Sequence, residues 1–166
     1  MSTLNVTNIR TTNIQDTSGA SGGLTFGSGG QVRRNKVYAF SATGTQGNVN
    51  YGGNAIIQFN SEDLDTDSCF NTGNYRYTAA VDGVYWFGGH FYNNGRLSTH
   101  FRKNGSDIYG GADMQPLIFA NHNVHGLGSH IILELDAGDY VTMHFRNNES
   151  GQIYMGHSTF SGFLIG

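Results

Sequence analysis

The chain has 166 residues, of which 25 are Gly; 13% are aromatic, 13% are charged, and the formal net charge is -3. The charged share is about half the usual one, so solubility rests on Asn, Ser, Thr and Gly, and the scattered basic residues point away from nucleic acid. A single Cys excludes an internal disulfide framework, a single Pro without a Gly-X-Y period excludes collagen, and no apolar run approaches the length of a membrane span.

The first thirty residues stand apart. They hold no aromatic before Phe26, and two short units echo each other, Asn5–Arg10 and Thr11–Asp16, each setting a β-branched aliphatic among polar groups. So few apolar groups cannot form a core of their own. Ser18 to Gly30 reads as a Gly/Ser linker. Met1 to Asn5 has neither a basic nor an apolar region, so no signal peptide is expected. The division expected is residues 1–30, a short irregular attachment or trimerisation stem with its linker, and residues 31–166, a folded head. Arg33, Arg34 and Lys36 at the junction read as a solvated start to the first strand.

The head alternates apolar with polar. Strands are predicted over Lys36–Phe40, Asn54–Phe59, Tyr75–Thr78, Gly83–Tyr92, Leu97–Arg102, Ser129–Leu135, Tyr140–Arg146 and Phe160–Ile165. Turn signals separate them at Asp82-Gly83, Asn94-Gly95, Asn104-Gly105 and Ala137-Gly138. No capped helical period is present. Short strands at such intervals predict an all-β sandwich or barrel.

One spacing is specific. Phe59, Asp65, Phe70 and Tyr77 lead into Gly83-Val84-Tyr85-Trp86-Phe87. With Tyr38–Ala42, Leu133–Val141 and Ser158–Leu164, this order resembles the complement-one-q globular head family over about Lys36 to Gly166. The chain departs from the family pattern at Tyr77, where Phe is usual, and at Gly89, where an aromatic is usual; Phe91 is placed to supply the missing ring. The resemblance implies a ten-stranded antiparallel jelly-roll sandwich, shared with the tumour-necrosis-factor superfamily, and a tight homotrimer.

The residues carry a parallel argument. In Gly83–Tyr92 one face holds Tyr85, Phe87, Gly89 and Phe91, and the other Val84, Trp86, Gly88, His90 and Tyr92. Large apolar groups on both faces of one antiparallel strand point to a subunit interface on one of them. Tyr85, Trp86, Phe87, Phe91, Phe160 and Phe163 are the candidate core and interface residues, and Gly88-Gly89 marks a bulge or a close approach.

Chemical motifs are sparse. Gly19–Gly23 matches a nucleophile elbow but lies in a linker, and no Gly-rich run has phosphate-loop spacing. Asp63, Asp65 and Asp67 resemble the start of a calcium loop, with the loop Gly missing. They are the one metal candidate, and no other cofactor is expected. His122, His125 and His130 read as polar loop residues, His100 and His144 as half-buried sheet residues, and Cys69 as packing. No acid/base pair survives, so an enzyme is not expected.

The opening Met1–Ile9 and Asn13–Gly19 resemble structural proteins of tailed bacteriophages. That resemblance implies a virion protein assembled in the host cytoplasm, attached through residues 1–30 to another virion protein. The head is then expected to act as a trimeric tail-fibre tip recognising the host surface, a glycan above all, through loop residues Asp113, Gln115, Asn121, His122, Asn123 and His125. Alternatives are a capsid decoration or neck connector, and a bacterial adhesion module.

Overall fold

A computed structural model of the chain describes residues 13–14, 24–26, 32–34, 37–45, 47–50, 53–94, 98–108, 127–145 and 152–166. The chain forms two compact units, Met1–Val37 and Tyr38–Gly166. In the first, β1 (Asn13–Ile14), β2 (Leu24–Phe26) and β3 (Val32–Arg34) make a small antiparallel sheet in that order. The stem is therefore not wholly irregular. Leu24-Thr25-Phe26, inside the stretch read as linker, joins an aliphatic, a β-branched and an aromatic residue and forms the middle strand.

The second unit contains β4 (Ala39–Thr43), β5 (Asn48–Asn50), β6 (Ser61–Asp65), β7 (Phe70–Asn71), β8 (Arg76–Thr78), β9 (Gly83–Phe91) and β10 (Asn93–Asn94). It continues with β11 (Thr99–Lys103), β12 (Ser106–Asp107), β13 (Leu127–Leu135), β14 (Tyr140–Phe145), β15 (Gln152–Tyr154) and β16 (Thr159–Leu164). A 3₁₀ turn, Met155–His157, precedes β16. Ten strands form two five-stranded antiparallel sheets, the first ordered β13-β9-β16-β4-β6 and the second β12-β11-β14-β8-β7. A third, small sheet runs β10-β15-β5. From β7 onward the chain crosses repeatedly between the two large sheets, which is the jelly-roll pattern.

Between the sheets lies an aromatic core. Phe40 of β4 stacks on Phe70 of β7 at 4.8 Å and meets Phe160 of β16 edge-on at 4.8 Å. Tyr77 of β8 reaches Phe40 at 5.0 Å and Phe87 of β9 at 5.2 Å. Each fully buried ring contributes roughly 1.5–3 kcal/mol. Offset and edge-on contacts let the ring quadrupoles attract.

Local chemistry explains the turns. Asn104 and Gly105 both take positive φ, 51° and 77°, and close the two-residue hairpin between β11 and β12, in which Lys103 pairs with Ser106. At Gly138, φ is 93° where the chain reverses between β13 and β14.

Two segments depart from the sequence reading. Asn54–Phe59 forms no strand of the two large sheets. It passes along the end of β14, with a bridge from Ile56 to His144 and Ile57 N–H donating to the Met143 carbonyl at 2.9 Å. Glu62, Asp63, Asp65 and Asp67 crowd four carboxylates into six residues, which in sequence reads as a solvated acidic loop, but Glu62–Asp65 lies in edge strand β6, which pairs with β4. Charges along an edge strand discourage pairing with another chain's sheet.

Candidate functional site

The central strand β9 sets the geometry. Its pairings with β13 and β16 run without a shift in register, from Gly83 opposite Leu135 to Phe91 opposite Leu127. Gly88-Gly89 is therefore not a bulge but a pair of close approaches. A Cβ on Gly88 would lie 2.3 Å from the Trp86 ring, so the indole lies against this glycine on the outer face. A Cβ on Gly89 would lie 2.5 Å from Met143 Cε and 2.9 Å from Phe91 Cε2. Phe91 and Met143 together fill the space that the family pattern gives to an aromatic at this position.

Strand alternation splits the six aromatic candidates. Tyr85, Phe87, Phe91 and Phe160 are fully buried between the sheets. Trp86 and Phe163 project from the opposite face of the first sheet and stack on each other at 5.4 Å. Around them, Val84, Ile132 and Phe163 are 39%, 57% and 44% exposed. Ile132 and Phe163 are the cross-strand neighbours of Trp86 on its two sides. One part of the outer face of this sheet thus carries an apolar band made of Val84, Trp86, Ile132 and Phe163.

Beside the band lies a trough of about 280 Å³ lined by Trp86, Gly88, His90, His130, Thr159 and Ser161. Sequence reading placed His90 on this face but grouped His130 with the loop histidines. Its period-two position in β13 puts it on the sheet instead. The signal was available in the alternation of Gly128, His130 and Ile132.

The acidic candidates do not assemble. Asp65 turns its carboxylate inward along its own chain: Oδ1 accepts from the Cys69 N–H at 3.0 Å and the Cys69 thiol at 3.2 Å, and Oδ2 accepts from the Phe70 N–H at 3.0 Å. The Asp67 N–H also donates to Oδ1, at 3.4 Å. Asp65 therefore organises the crossing from β6 to β7, while Asp63 is exposed on the edge strand. Among the described residues no group of three His, Cys, Asp or Glu is arranged to hold a metal ion. Burial, then the Asp65 hydrogen bond and charge, push the Cys69 thiol up to about 12, so it is a poor nucleophile. Burial likewise raises the Tyr77 phenol, next to Cys69 and Tyr85.

The outer face of the second sheet is polar. Arg102 Nε donates to Asp107 Oδ1 at 2.8 Å, and Arg76 lies 4.6 Å over the Tyr140 ring. His144 is half-buried as expected, with Nδ1 2.8 Å from the Asn54 carbonyl, and desolvation lowers its pKa. His100 is more buried than expected, with its ring 5.8 Å from that of His144 and Nε2 3.5 Å from Asp107 Oδ1. The loop candidates Asp113, Gln115, Asn121, His122, Asn123 and His125 lie outside the described residues.

The globular domain of zebrafish complement 1qA protein superimposes with a TM-score of 0.61 at 21% identity, covering 78% of this chain and 98% of that one. Eiger TNF from S. frugiperda superimposes with a TM-score of 0.53 at 13% identity, covering 77% of this chain and 91% of that one. These likenesses establish the fold. No curated protein matches the chain. The family model for the C1q domain matches residues 39–165, nearly the whole of the second unit, and the chain belongs to the C1q domain family.

Proposed function

We propose that this chain is a non-enzymatic binding module whose head assembles as a homotrimer through the outer face of its first sheet. One observation carries the reading: Val84, Trp86, Ile132 and Phe163 form a contiguous apolar band in which Val84, Ile132 and Phe163 are exposed among the described residues of the second unit. Bands of this kind mark protein interfaces. Three copies in a closed ring bury it without leaving an open, fibre-forming contact.

The setting we infer is the virion of a tailed phage. Its support is the resemblance carried by Met1–Ile9 and Asn13–Gly19, and residues 1–30 then attach the head to another virion protein. In that setting the head is a tail-fibre tip that binds a host-surface glycan, and three weak sites on one trimer gain by avidity.

Light scattering on the purified chain tests the assembly. The expected mass is three times the 18.0 kDa of one chain. Ile132→Glu, which places a charge in the band, is expected to give folded single chains. A wild-type protein of single-chain mass overturns the reading. Electron cryomicroscopy of particles carrying the protein tests the setting: density at the tail periphery supports host recognition, and density across the capsid lattice replaces it with decoration.

A further inference from the structure

The trough beside Trp86 has a chemistry that the assembly reading does not use. His90 and His130 both line it, and both are exposed. They stand on adjacent antiparallel strands, with His90 opposite Gly128 and His130 opposite Gly88. The two imidazoles are therefore diagonal neighbours on one face, a spacing of about 7–8 Å between backbones that long side chains bridge. Both positions completing the square are glycines, and the Trp86 indole, which lies against Gly88, forms a wall of the trough beside them. On the far side of β9, Thr159 is opposite His90 and Ser161 opposite Gly88, bringing two hydroxyl groups to the trough wall. Among the described residues of the lining there is no Lys, Arg, Asp or Glu.

We infer that His90 and His130 form a two-imidazole site for a divalent transition-metal cation of the zinc class. Neutral imidazole is a preferred ligand of such ions, and hard cations such as calcium select oxygen ligands instead. Two protein nitrogens leave the other positions of a tetrahedral ion to water, which the Thr159 and Ser161 hydroxyls are placed to orient. The trough has room for the ion and its waters. This chelate is complete within one chain and its solvent. Where copies meet through the same face, the ion lies beside the contact.

The test is a titration of the tag-free full chain with zinc alone, at neutral pH, by competition with a fluorescent zinc indicator. Saturation at one ion per chain is expected. His90→Gln and His130→Gln should each weaken binding by roughly tenfold or more, and the double variant should abolish it. His157→Gln removes an exposed imidazole outside the trough and should leave binding unchanged. Thermal melts of the His variants should match wild type, since both side chains are on the surface. Wild-type binding by the double variant, or no saturable binding by wild type, overturns the site. Zinc binding by a chain that light scattering shows to be single overturns the assembly reading and leaves this one standing.

Discussion

On the outside of one sheet stand Val84, Trp86, Ile132 and Phe163; on the outside of the other stand Arg76, Arg102, Thr142 and His144. The inward positions of both sheets meet the same demand, to fill one aromatic core. The outward positions are free of it and answer to what lies beyond each sheet. The polar sheet satisfies itself: Arg102 has Asp107, Arg76 has the Tyr140 ring, and His144 has Asn54 and Thr142. In the apolar sheet, among the described residues, Trp86 stacks on Phe163 and lies against Gly88. The contrast teaches that the fold alone does not dictate the second apolar face of β9, which is the ground of the assembly proposed above.

The largest expected effect falls on both sheets equally. Phe160 reaches Phe40, Phe59, Phe70 and Phe101 and so ties the two together. Phe160→Ala should cost about 3–5 kcal/mol, read from the midpoint of urea unfolding. A loss under about 1 kcal/mol would show that the sheets do not share a core. A smaller effect belongs to the apolar sheet alone. Gly88→Ala pushes against the Trp86 indole, which is half-buried and free to swing outward, so the stability loss should stay at the low end of about 1–3 kcal/mol. Self-association should nevertheless weaken, because the indole leaves the plane of the band; unchanged trimer mass would break the link between this glycine and the interface.

The smallest effect belongs to the polar sheet and its turns. Asp139 is held at about 2 by hydrogen bonds from Lys103, Asn104 and the Asp136 N–H. A carboxyl with a folded pKa below its unfolded value adds stability above the unfolded value near 3.8, and this is lost as pH falls toward about 2. Asp139→Asn should lower the melting midpoint at neutral pH, and the gap to wild type should close across that window. A gap that persists in acid would assign the role to shape rather than charge.

The sequence was most legible where one residue type answers one local demand. Asn104-Gly105 announced a hairpin because both positions need positive φ, and β9 announced itself by the β-branched and aromatic run Val84–Phe87 after the Asp82-Gly83 turn. Legibility failed where tertiary partners decide. Glu62–Asp65 looks like a solvated loop until β4 offers its edge. Asn54–Phe59 has strand composition but finds only the end of β14. The trough was hidden for a related reason: His90 and His130 are 40 positions apart in sequence and meet only through the register of β9 with β13.

Cys69 offers a last consequence. Its thiol is buried, bonded to Asp65 and held in its unreactive protonated form, at the crossing that joins the first sheet to the second. The chain contains no other cysteine. Nature has thus left a built-in stopwatch at the seam: an alkylating reagent in solution can mark the protein only during the moments when the sandwich comes apart there, so the pace of labelling reads out how often it opens.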